Sequence, residues 1–454
     1  MSIGVLLTFT SRAQFVTKWR ITDNNEVITI PTTGSGYNYV VNWGDGNSNA
    51  GTGNVSHTYT NPGFYTVSIT GIFPRIYFND TSGSKDKIIE ISQWGTHGWK
   101  SMSGAFRGCT NLNLTATDIP VLSGVTDMSL MFYDCKKLNP TGAAAAALNH
   151  WHTDAVTNME GMFWGATSFN QDIGNWNTAN VINMYAMFQN ATSFNQDIGN
   201  WNTANVTNMR GMFLGEPIPA AFNQDIGRWN TGNVTDMGYM FFGATAFNQD
   251  ISHWNTTKVT QMGYMFFGAT AFNQDIGNWN TANVIDMNAM FRGAGAFNQN
   301  LGNWKITMSL NMRYMLDDCG LSVTNYDKTL TGWARQVPSG NRVLGAQGLK
   351  YCAAANARSK LISAYGWDIT GDLLSCPLKP KMFPNPTKGP VRIINIKTGD
   401  MIALTDAIGR HLLKQLATDE SEMLDINLMA QGVYLISIYR KDEIILTDKI
   451  TKLN

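Results

Sequence analysis

The residue types that carry out catalysis are scattered through this 454-residue chain rather than grouped. An enzyme needs a nucleophile, a base and an orienting group that converge in one pocket. His150 and His152 could bind a metal weakly, but no third ligand lies near them at a suitable spacing, so we interpret them as surface residues. The other histidines do not recur at any fixed interval: His57, His97, His253 and His411. Without a GxSxG, HExxH or P-loop motif, the sequence predicts a protein that is not an enzyme.

An aspartate and an asparagine do recur at a fixed interval, and these two rows form the candidate ligand-facing ladder. Carboxylates stacked about 5 Å apart would repel one another unless something compensates. Hydrogen bonds from the next repeat or from neighbouring amides would make the rows structural, whereas bound Ca²⁺ or a cationic ligand would make them functional. An asparagine beside each aspartate could form an amide ladder, which favours the structural interpretation. The rows are Asp172, Asp197, Asp225, Asp250 and Asp275, with Asn300 in the sixth place, and Asn170, Asn195, Asn223, Asn248, Asn273 and Asn298.

Methionine and tryptophan recur with the same interval. Pairs such as Met184 and Met187 could be thioether ligands for copper, but Met also fills irregular gaps in a core, and we expect that role. The tryptophans, from Trp151 to Trp304, could stack on sugar rings. A row of exposed indoles would be an apolar stripe that soluble proteins avoid, so we expect them to be buried. Trp99 and Trp333 lie outside this register and could act as contacts.

An internal repeat positions all of these residues. The string FNQDIGNWNTANV returns almost verbatim, with its first residue at Phe169, Phe194, Phe222, Phe247, Phe272 and Phe297. The steps are 25, 28, 25, 25 and 25 residues, and the long step reflects an insertion within Glu216–Ala221 that should bulge as a loop. A Met-x-x-x-Phe motif extends the array to about nine repeats, with degenerate copies at the ends.

Each repeat predicts one short strand and one short helix. Phe169, Ile173 and Trp176 surround a polar–apolar alternation suited to a strand of a parallel ladder. Val181, Met184, Met187 and Phe188 follow with the spacing of two helical turns that have one buried face. The predicted fold class is therefore an α/β repeat solenoid, leucine-rich-repeat-like, with 25-residue coils, flanked by two small all-β immunoglobulin-like sandwich domains.

The pattern WNT-x-NV-x-x-M-x-x-MF…FNQDI, from Met102 to about Leu316, resembles the BspA-like leucine-rich-repeat surface proteins of bacteria. This resemblance implies a surface-exposed interaction protein, often an adhesin, and does not identify the ligand. The segment Asn325–Asp372 resembles the atypical sequence that closes such arrays. We therefore assign residues 101–320 to the repeats and residues 321–376 to the closing segment.

The N-terminal part contains a segment like a secretory signal and a segment like a small β-sandwich domain. Met1–Gln14 has the apolar middle and cleavage point of a secretory signal but lacks the basic start, so we interpret residues 1–13 as a truncated signal peptide. The Trp43-Gly44-Asp45-Gly46 turn and the His57-Thr58-Tyr59 segment, followed by a period-two strand, resemble a PKD-type immunoglobulin-like domain, assigned to residues 14–78. Residues 79–100 would connect this domain to the array.

The C-terminal residues 377–454 differ in composition and contain an ordered set of motifs. FPNP is followed by a Gly-Arg pair, Gly-Val-Tyr and Lys-Ile-x-Lys, which together resemble the C-terminal sorting domain of the type IX secretion system of Bacteroidetes. The resemblance implies passage through the outer membrane and contact with the secretion machinery. A small β-sandwich without a signal role is the alternative. The motif residues are Pro384, Asn385, Pro386, Gly409, Gly432, Tyr434 and Lys449.

Composition limits the function further. The formal net charge is zero and 15% of residues are charged, against about 25% in typical soluble chains, so nucleic acid is not an expected partner. No apolar run reaches the roughly 18 residues of a membrane span. Between Trp151 and Met315, 6 basic and 10 acidic residues make the array mildly acidic and a poor match to anionic partners. Cys352 and Cys376 could form a disulfide in an oxidising compartment, whereas the other three cysteines are expected to be buried.

These observations predict an exported, secreted or cell-surface, non-catalytic adhesion or recognition protein. It would bind a host or matrix protein, or a glycan, through the repeats, without a cofactor except for the Ca²⁺ that the aspartate row could hold. The alternative is a carbohydrate-binding accessory protein of a polysaccharide-using system.

Overall fold

In a computed structural model, residues 14–81, 83–336, 340–376 and 378–454 are described. They form two compact units, one ending at Leu374 and the other spanning Ser375–Asn454. The expected signal segment, residues 1–13, lies outside the described residues. In the described part of the chain, no helix is long and apolar enough to cross a membrane.

The first unit begins with a β-sheet that continues into the repeats. Alternate residues of the first strand are buried, namely Phe15, Thr17, Trp19 and Ile21, because a strand turns successive side chains to opposite faces. The sheet has the order β4-β3-β6-β1-β7-β8, and β2 pairs separately with β5. The strands are β1 Phe15–Ile21, β2 Glu26–Ile30, β3 Asn38–Asn42, β4 Ser48–Gly51, β5 Val55–Tyr59, β6 Gly63–Ile72, β7 Ile88–Gln93 and β8 Asn113–Leu114. The parallel pairing of β7 with β8 joins this sheet to the first repeat.

The repeats stack in register through backbone hydrogen bonds, although almost none of their residues belong to a regular strand or helix. One position per repeat forms an isolated parallel bridge with the next repeat, as between Asp236 and Gln261. In the Met-x-x-Met-Phe segment, alternate backbone N–H groups donate to the next repeat. The Met237 N–H reaches the Gln261 carbonyl at 3.0 Å, and the Tyr239 N–H reaches the Gly263 carbonyl at 2.9 Å. We call residues 101–320 the repeat stack.

The predicted α/β repeat solenoid with strand-plus-helix coils is wrong. The chain is β-rich, and helices account for only 7% of it. The described residues contain three helices, and none falls on the predicted helical spacing: α1 Gly142–Asn149, α2 Val323–Arg335 and α3 Ala355–Tyr365. A helix needs each N–H to donate four residues back, but here Met240 donates three residues back to Met237 while Tyr239 and Phe241 donate to the next repeat. The segment is therefore a pair of tight turns.

The apolar positions of the repeats form one continuous core. Phe, Ile, Trp, Val and Met side chains that recur every 25 residues are buried in successive repeats, so the prediction that Met and Trp are core residues is confirmed. The ladder indoles from Trp201 to Trp304 also donate to an isoleucine carbonyl in the preceding repeat, as Trp254 does to Ile226 at 3.1 Å. The inserted loop is exposed as predicted, and Ile218 is among its exposed residues.

Helices and short strands close the repeat stack at its C-terminal end. The strands are β9 Arg342–Gly345, β10 Lys350–Tyr351, β11 Trp367–Thr370 and β12 Leu373–Leu374, with β9 parallel to β11 and β10 parallel to β12. Trp333 of α2 donates to the Leu301 carbonyl at 2.9 Å and so continues the indole–carbonyl pattern. Trp99 and Trp333 are buried, so the expectation that they act as exposed contacts is wrong.

The second unit consists of two antiparallel sheets around its own core. The sheet orders are β13-β14-β17 and β16-β15-β18-β19. Val391, Ile393, Ile402, Ile436 and Ile450 are among its buried residues. The strands are β13 Lys381–Phe383, β14 Val391–Ile394, β15 Met401–Asp406, β16 His411–Leu416, β17 Ser421–Leu424, β18 Gly432–Arg440 and β19 Glu443–Lys452.

Cys352 and Cys376 are both disulfide-bonded, whereas Cys109, Cys135 and Cys319 are free thiols.

An ion pair in the second unit predicts a loss of stability in acid. Arg440 contacts both carboxylate oxygens of Asp400 at 2.8 and 2.7 Å, and the Asp400 side chain is 2% exposed. The hydrogen bond from Arg440 holds the pKa of Asp400 below its ordinary value. A carboxyl whose pKa is lower when folded stabilises above its unfolded pKa of about 3.9, and this stabilisation is lost as the pH falls through the folded pKa. We expect Arg440→Met to lower the free energy of unfolding by about 2 kcal/mol at neutral pH. Breaking a fully buried pair costs more, but Arg440 is partly exposed, so solvent weakens this pair.

In Arg440→Met, protonation of the unpaired, buried Asp400 should partly restore stability as the pH falls, which is opposite to the parent chain. Hydrogen exchange of the β15 and β18 peptides in the full chain, measured across the acid range, tests this sign. Arg410→Met removes an exposed ion pair to Asp406 and serves as the control without a measurable change. Identical acid profiles for the parent chain and Arg440→Met would refute the assignment.

Candidate functional site

In the asparagine row of the predicted ladder, the side-chain oxygens accept hydrogen bonds from the next repeat. The Asn170 side-chain oxygen accepts the backbone N–H of Asn195 at 2.9 Å and the side-chain amide of Gln196 at 3.0 Å. The same pair of bonds follows from Asn195, Asn223, Asn248 and Asn273 to the next repeat. Because the side-chain oxygen of each of these asparagines accepts two hydrogen bonds from the next repeat, this row holds the repeats together.

The aspartate row is exposed and is held in local turns. One oxygen of Asp197 accepts the backbone N–H of Gly199 two residues later at 2.9 Å. Asp172, Asp225, Asp250 and Asp275 make the same contact within their own repeats. Asn300 makes it as well, so the turn needs the side-chain oxygen and not the charge. In the described ranges, no group of three or more His, Cys, Asp or Glu side chains could hold a metal ion.

Another surface of the repeat stack differs from repeat to repeat while the core stays the same. It consists of three positions in each Met-x-x-Met-Phe-x segment: the two residues between the methionines and the residue after the phenylalanine. We call this surface the variable face. In sequence order its residues are Ser103, Gly104, Arg107; Ser129, Leu130, Tyr133; Glu160, Gly161, Trp164; Tyr185, Ala186, Gln189; Arg210, Gly211, Leu214; Gly238, Tyr239, Phe242; Gly263, Tyr264, Phe267; Asn288, Ala289, Arg292; and Arg313, Tyr314, Asp317.

Four half-buried rings form a two-by-two arrangement on the variable face, which we call the aromatic block. The ring centroids of Tyr239 and Tyr264 lie 4.6 Å apart at an interplanar angle of 13°. Those of Phe242 and Phe267 lie 4.6 Å apart at 4°. Within one repeat, Tyr239 and Phe242 are separated by 5.8 Å. The four rings are therefore stacked on one another within and between two adjacent repeats.

Two arginines lie at the ends of the aromatic block. The Arg210 guanidinium is 4.6 Å from the centroid of Tyr239, and Arg292 lies 6.0 Å from Phe267 and 5.5 Å from Tyr314. Arg210 also approaches Asp236 at 3.8 Å, a distance typical of a weak pair. Burial raises the pKa of Asp236 above its ordinary value in spite of this cation. Burial and the neighbouring Tyr264 also raise the pKa of Tyr239, so its hydroxyl stays protonated at neutral pH.

The tyrosines of the block adopt an unfavourable backbone conformation. Tyr239 and Tyr264 both have φ of 59°, a left-handed value that is uncommon for bulky residues. The same position holds Gly161 and Gly211 in other repeats, where the conformation costs little. A side chain there costs about 1 kcal/mol. Since the fold accepts glycine at this position, the tyrosines are not required by the turn itself.

The aromatic block was missed in the sequence because its segment was assigned to a helix. A sequence signal was nevertheless present, since GYMFFGATAFNQDI occurs twice, beginning at Gly238 and Gly263. In a helix, Tyr239 and Phe242 would lie on the face opposite the buried Met237 and Met240, so the repeated string already indicated a surface pair. The left-handed turn that leaves these rings half-buried and stacked on the next repeat could not be read from the spacing.

The predicted sorting-motif residues come together only in part. The Asn385 side chain donates to the Lys449 carbonyl at 2.7 Å and accepts the Thr451 N–H at 3.0 Å, which attaches the loop of Pro384 and Pro386 to β19. In the β18–β19 pairing, Gly432 and Tyr434 lie opposite Lys452 and Ile450. Gly409 lies elsewhere, in the turn between β15 and β16, where its φ of 85° suits glycine.

Comparison with known proteins identifies the C-terminal unit as a secretion domain. Residues 381–452 match the secretion system C-terminal sorting domain, so the chain is a secreted or cell-surface protein that interacts with the type IX machinery. Residues 77–143, 141–217 and 216–333 match a family described as "Mycoplasma protein of unknown function, DUF285". These adjoining matches cover more than half of the chain, which therefore belongs to this family. No curated protein and no solved structure matches the chain. The leucine-rich-repeat and PKD resemblances are not confirmed.

Proposed function

We propose that this exported protein is a non-catalytic adhesion or recognition protein that binds a macromolecule through its repeat stack. The observation that carries the proposal is the contrast between a nearly verbatim core and a variable face. In the core, Phe, Ile, Trp and Met repeat at identical positions, whereas the three variable-face positions range from glycine to arginine to tryptophan. A fixed scaffold that presents different side chains at regular intervals suits recognition of an extended partner.

The composition of the variable face supports the same proposal. Aromatic residues and arginine are enriched at the centres of protein interfaces, where they account for most of the binding energy. The variable face holds Tyr133, Trp164, Tyr185, Tyr314 and the aromatic block, all of them half-buried or exposed. Because they are distributed over several repeats of one rigid stack, several weak contacts can act at the same time and raise the overall affinity.

Binding of the purified full chain to parallel glycan and matrix-protein arrays tests the proposal. We expect selective binding to a limited set of proteins or glycans. A variant with Asp197→Asn, Asp225→Asn and Asp250→Asn, which copies the natural Asn300, separates the aspartate row from the variable face. Under our proposal this variant binds like the parent chain, with or without a chelator. Selective binding that is lost in this variant or with the chelator would assign the ligand to the aspartate row, and silence on both arrays would contradict recognition altogether.

A further inference from the structure

The aromatic block presents mainly the edges of its rings, because most of the ring faces are already covered. Tyr239 covers one face of Tyr264, and Phe242 covers one face of Phe267, both at 4.6 Å. At the two ends the outer faces meet guanidinium groups, Arg210 over Tyr239 and Arg292 near Phe267. An aromatic ring is negative on its face and positive at its edge. A partner therefore meets positive ring edges, and a sugar ring seeking an open aromatic face finds little to stack on.

The variable-face positions carry more arginines than acidic residues, in contrast to the repeat stack as a whole. The variable-face positions include four arginines, Arg107, Arg210, Arg292 and Arg313, and two acidic residues, Glu160 and Asp317. Asp317 is buried and accepts the Gln347 N–H at 3.0 Å. Of the 10 acidic residues between Trp151 and Met315, five form the separate aspartate row. Asp236 lies beside Arg210, and Asp286 lies beside Gly263 in the second repeat of the block. The variable face as a set of positions therefore carries more positive than negative charge, and the two carboxylates beside the block already have partners within the chain.

Two exposed arginines of the variable face have no carboxylate partner among the described residues. Arg292 and Arg313 are exposed, and neither takes part in an ion pair there. The nearest acidic side chains have other contacts: Asp286 accepts the Asn288 N–H at 3.0 Å and the Asn311 amide at 3.0 Å, and Asp236 lies by Arg210. Exposed guanidinium groups beside apolar ring edges are available to carboxylates of a partner, in paired hydrogen bonds that suit their planar geometry.

We propose that the aromatic block, together with Arg210, Arg292 and Arg313, is a docking surface for an acidic polypeptide segment of a partner protein. A polypeptide supplies carbonyl oxygens for the ring edges and aliphatic or aromatic side chains for the spaces between rings, while its Asp and Glu residues pair with the arginines. This inference rests on the proposed function and assigns to it a surface and a class of partner.

The other repeats supply the design of a test variant. Tyr239→Gly and Tyr264→Gly reproduce Gly161 and Gly211, and Phe242→Leu and Phe267→Leu reproduce Leu214. Because these residues already occupy the same positions in neighbouring repeats, the fourfold variant should keep the fold. Its melting temperature, compared with that of the parent chain, verifies this. Arg292→Gln, at an exposed position, is a second, single-residue variant that does not depend on the stacked rings.

The probe is an immobilised random copolymer of glutamate and tyrosine, with a lysine–tyrosine copolymer and polygalacturonate as comparisons. We expect the full chain to bind the glutamate–tyrosine copolymer in a salt-dependent manner and to ignore the lysine–tyrosine copolymer. The fourfold variant should bind at least about tenfold more weakly. Arg292→Gln should bind more weakly with a smaller salt dependence, and the aspartate-row variant should bind like the parent chain.

Three results would overturn the inference. Undiminished binding by the fourfold variant and Arg292→Gln would remove the surface but leave the proposed function standing if the arrays still show selective binding. If the chain binds polygalacturonate as well as or better than the copolymer, and this binding depends on the aromatic block, then the ligand of this surface is an acidic glycan and not a polypeptide. No binding to the copolymer, together with silent arrays, would overturn both the inference and the proposed function.

Discussion

Trp254→Ala is expected to lower the free energy of unfolding of the repeat stack by about 4 kcal/mol. The Trp254 side chain is 3% exposed and lies between Trp229 and Trp279, with ring centroids 6.4 and 6.3 Å away. Its indole N–H donates to the Ile226 carbonyl of the preceding repeat at 3.1 Å. Alanine would leave a cavity between three repeats and a buried carbonyl without its donor, because neighbouring repeats cannot close together without breaking their backbone ladder.

Urea unfolding of the full chain, followed by circular dichroism, measures this loss. Trp254→Phe keeps most of the ring but not the N–H, and should fall between the parent chain and Trp254→Ala. His253→Ala, at the adjacent exposed position, is the control and should change the free energy by less than about 0.5 kcal/mol. A loss below about 1 kcal/mol for Trp254→Ala would show that the tryptophan row does not hold the repeats together.

Asp372→Ala should destabilise the closing segment by about 3 kcal/mol. The Asp372 side chain is fully buried, and its oxygens accept from Arg358 at 2.8 and 2.6 Å and from the Tyr326 hydroxyl at 2.9 Å. These contacts join α2 and α3 to the chain just after β11. Burial raises the pKa of Tyr326, so the hydroxyl remains a donor throughout the neutral range. Removal of the carboxylate would leave a largely buried guanidinium and a buried hydroxyl without an acceptor.

Hydrogen exchange of the α2 and α3 peptides would show where stability is lost. Asp368→Ala changes an exposed aspartate of β11 and should have an effect of less than about 0.5 kcal/mol. If α2 and α3 exchange hydrogen at the same rates in Asp372→Ala as in Asp368→Ala, the buried cluster around Asp372 does not stabilise the closing segment.

The core of the repeat stack could be predicted from the sequence because it depends on period alone. Residues such as Phe169, Ile173 and Trp176 recur every 25 positions, and a recurring large apolar residue has to be buried against its copy in the next repeat. Backbone conformation was not predictable in the same way. The spacing of Val181, Met184 and Met187 fits a helix, but it fits two consecutive turns equally well. Glycine at positions 161 and 211 was the contrary sign, since an interior glycine weakens a helix and suits a left-handed turn.

The candidate site shows a similar division. Recurrence alone pointed to Asn170 and Asp172 and their copies, and the structure brings these rows into register. Which atoms are already used depends on geometry: the asparagine oxygens bond to the next repeat, and the aspartates bond within their own repeat. The aromatic block depends on a positive φ at Tyr239 and Tyr264, which the periodic pattern does not specify. It is the departures from the repeat, rather than the repeat itself, that form this surface.

The near-identity of successive repeats also affects how the gene can change. DNA segments that encode such similar units can recombine out of alignment, and the 25-residue step keeps each product in frame. Loss of residues 247–271 would place Asn273 against Asn223, where it would meet the same acceptor that Asn248 meets now. The stack can therefore lengthen or shorten by whole units without a new core having to evolve. Because the aromatic block occupies two adjacent repeats, a single such exchange would halve or extend it, so that copy number alone could alter what the protein binds.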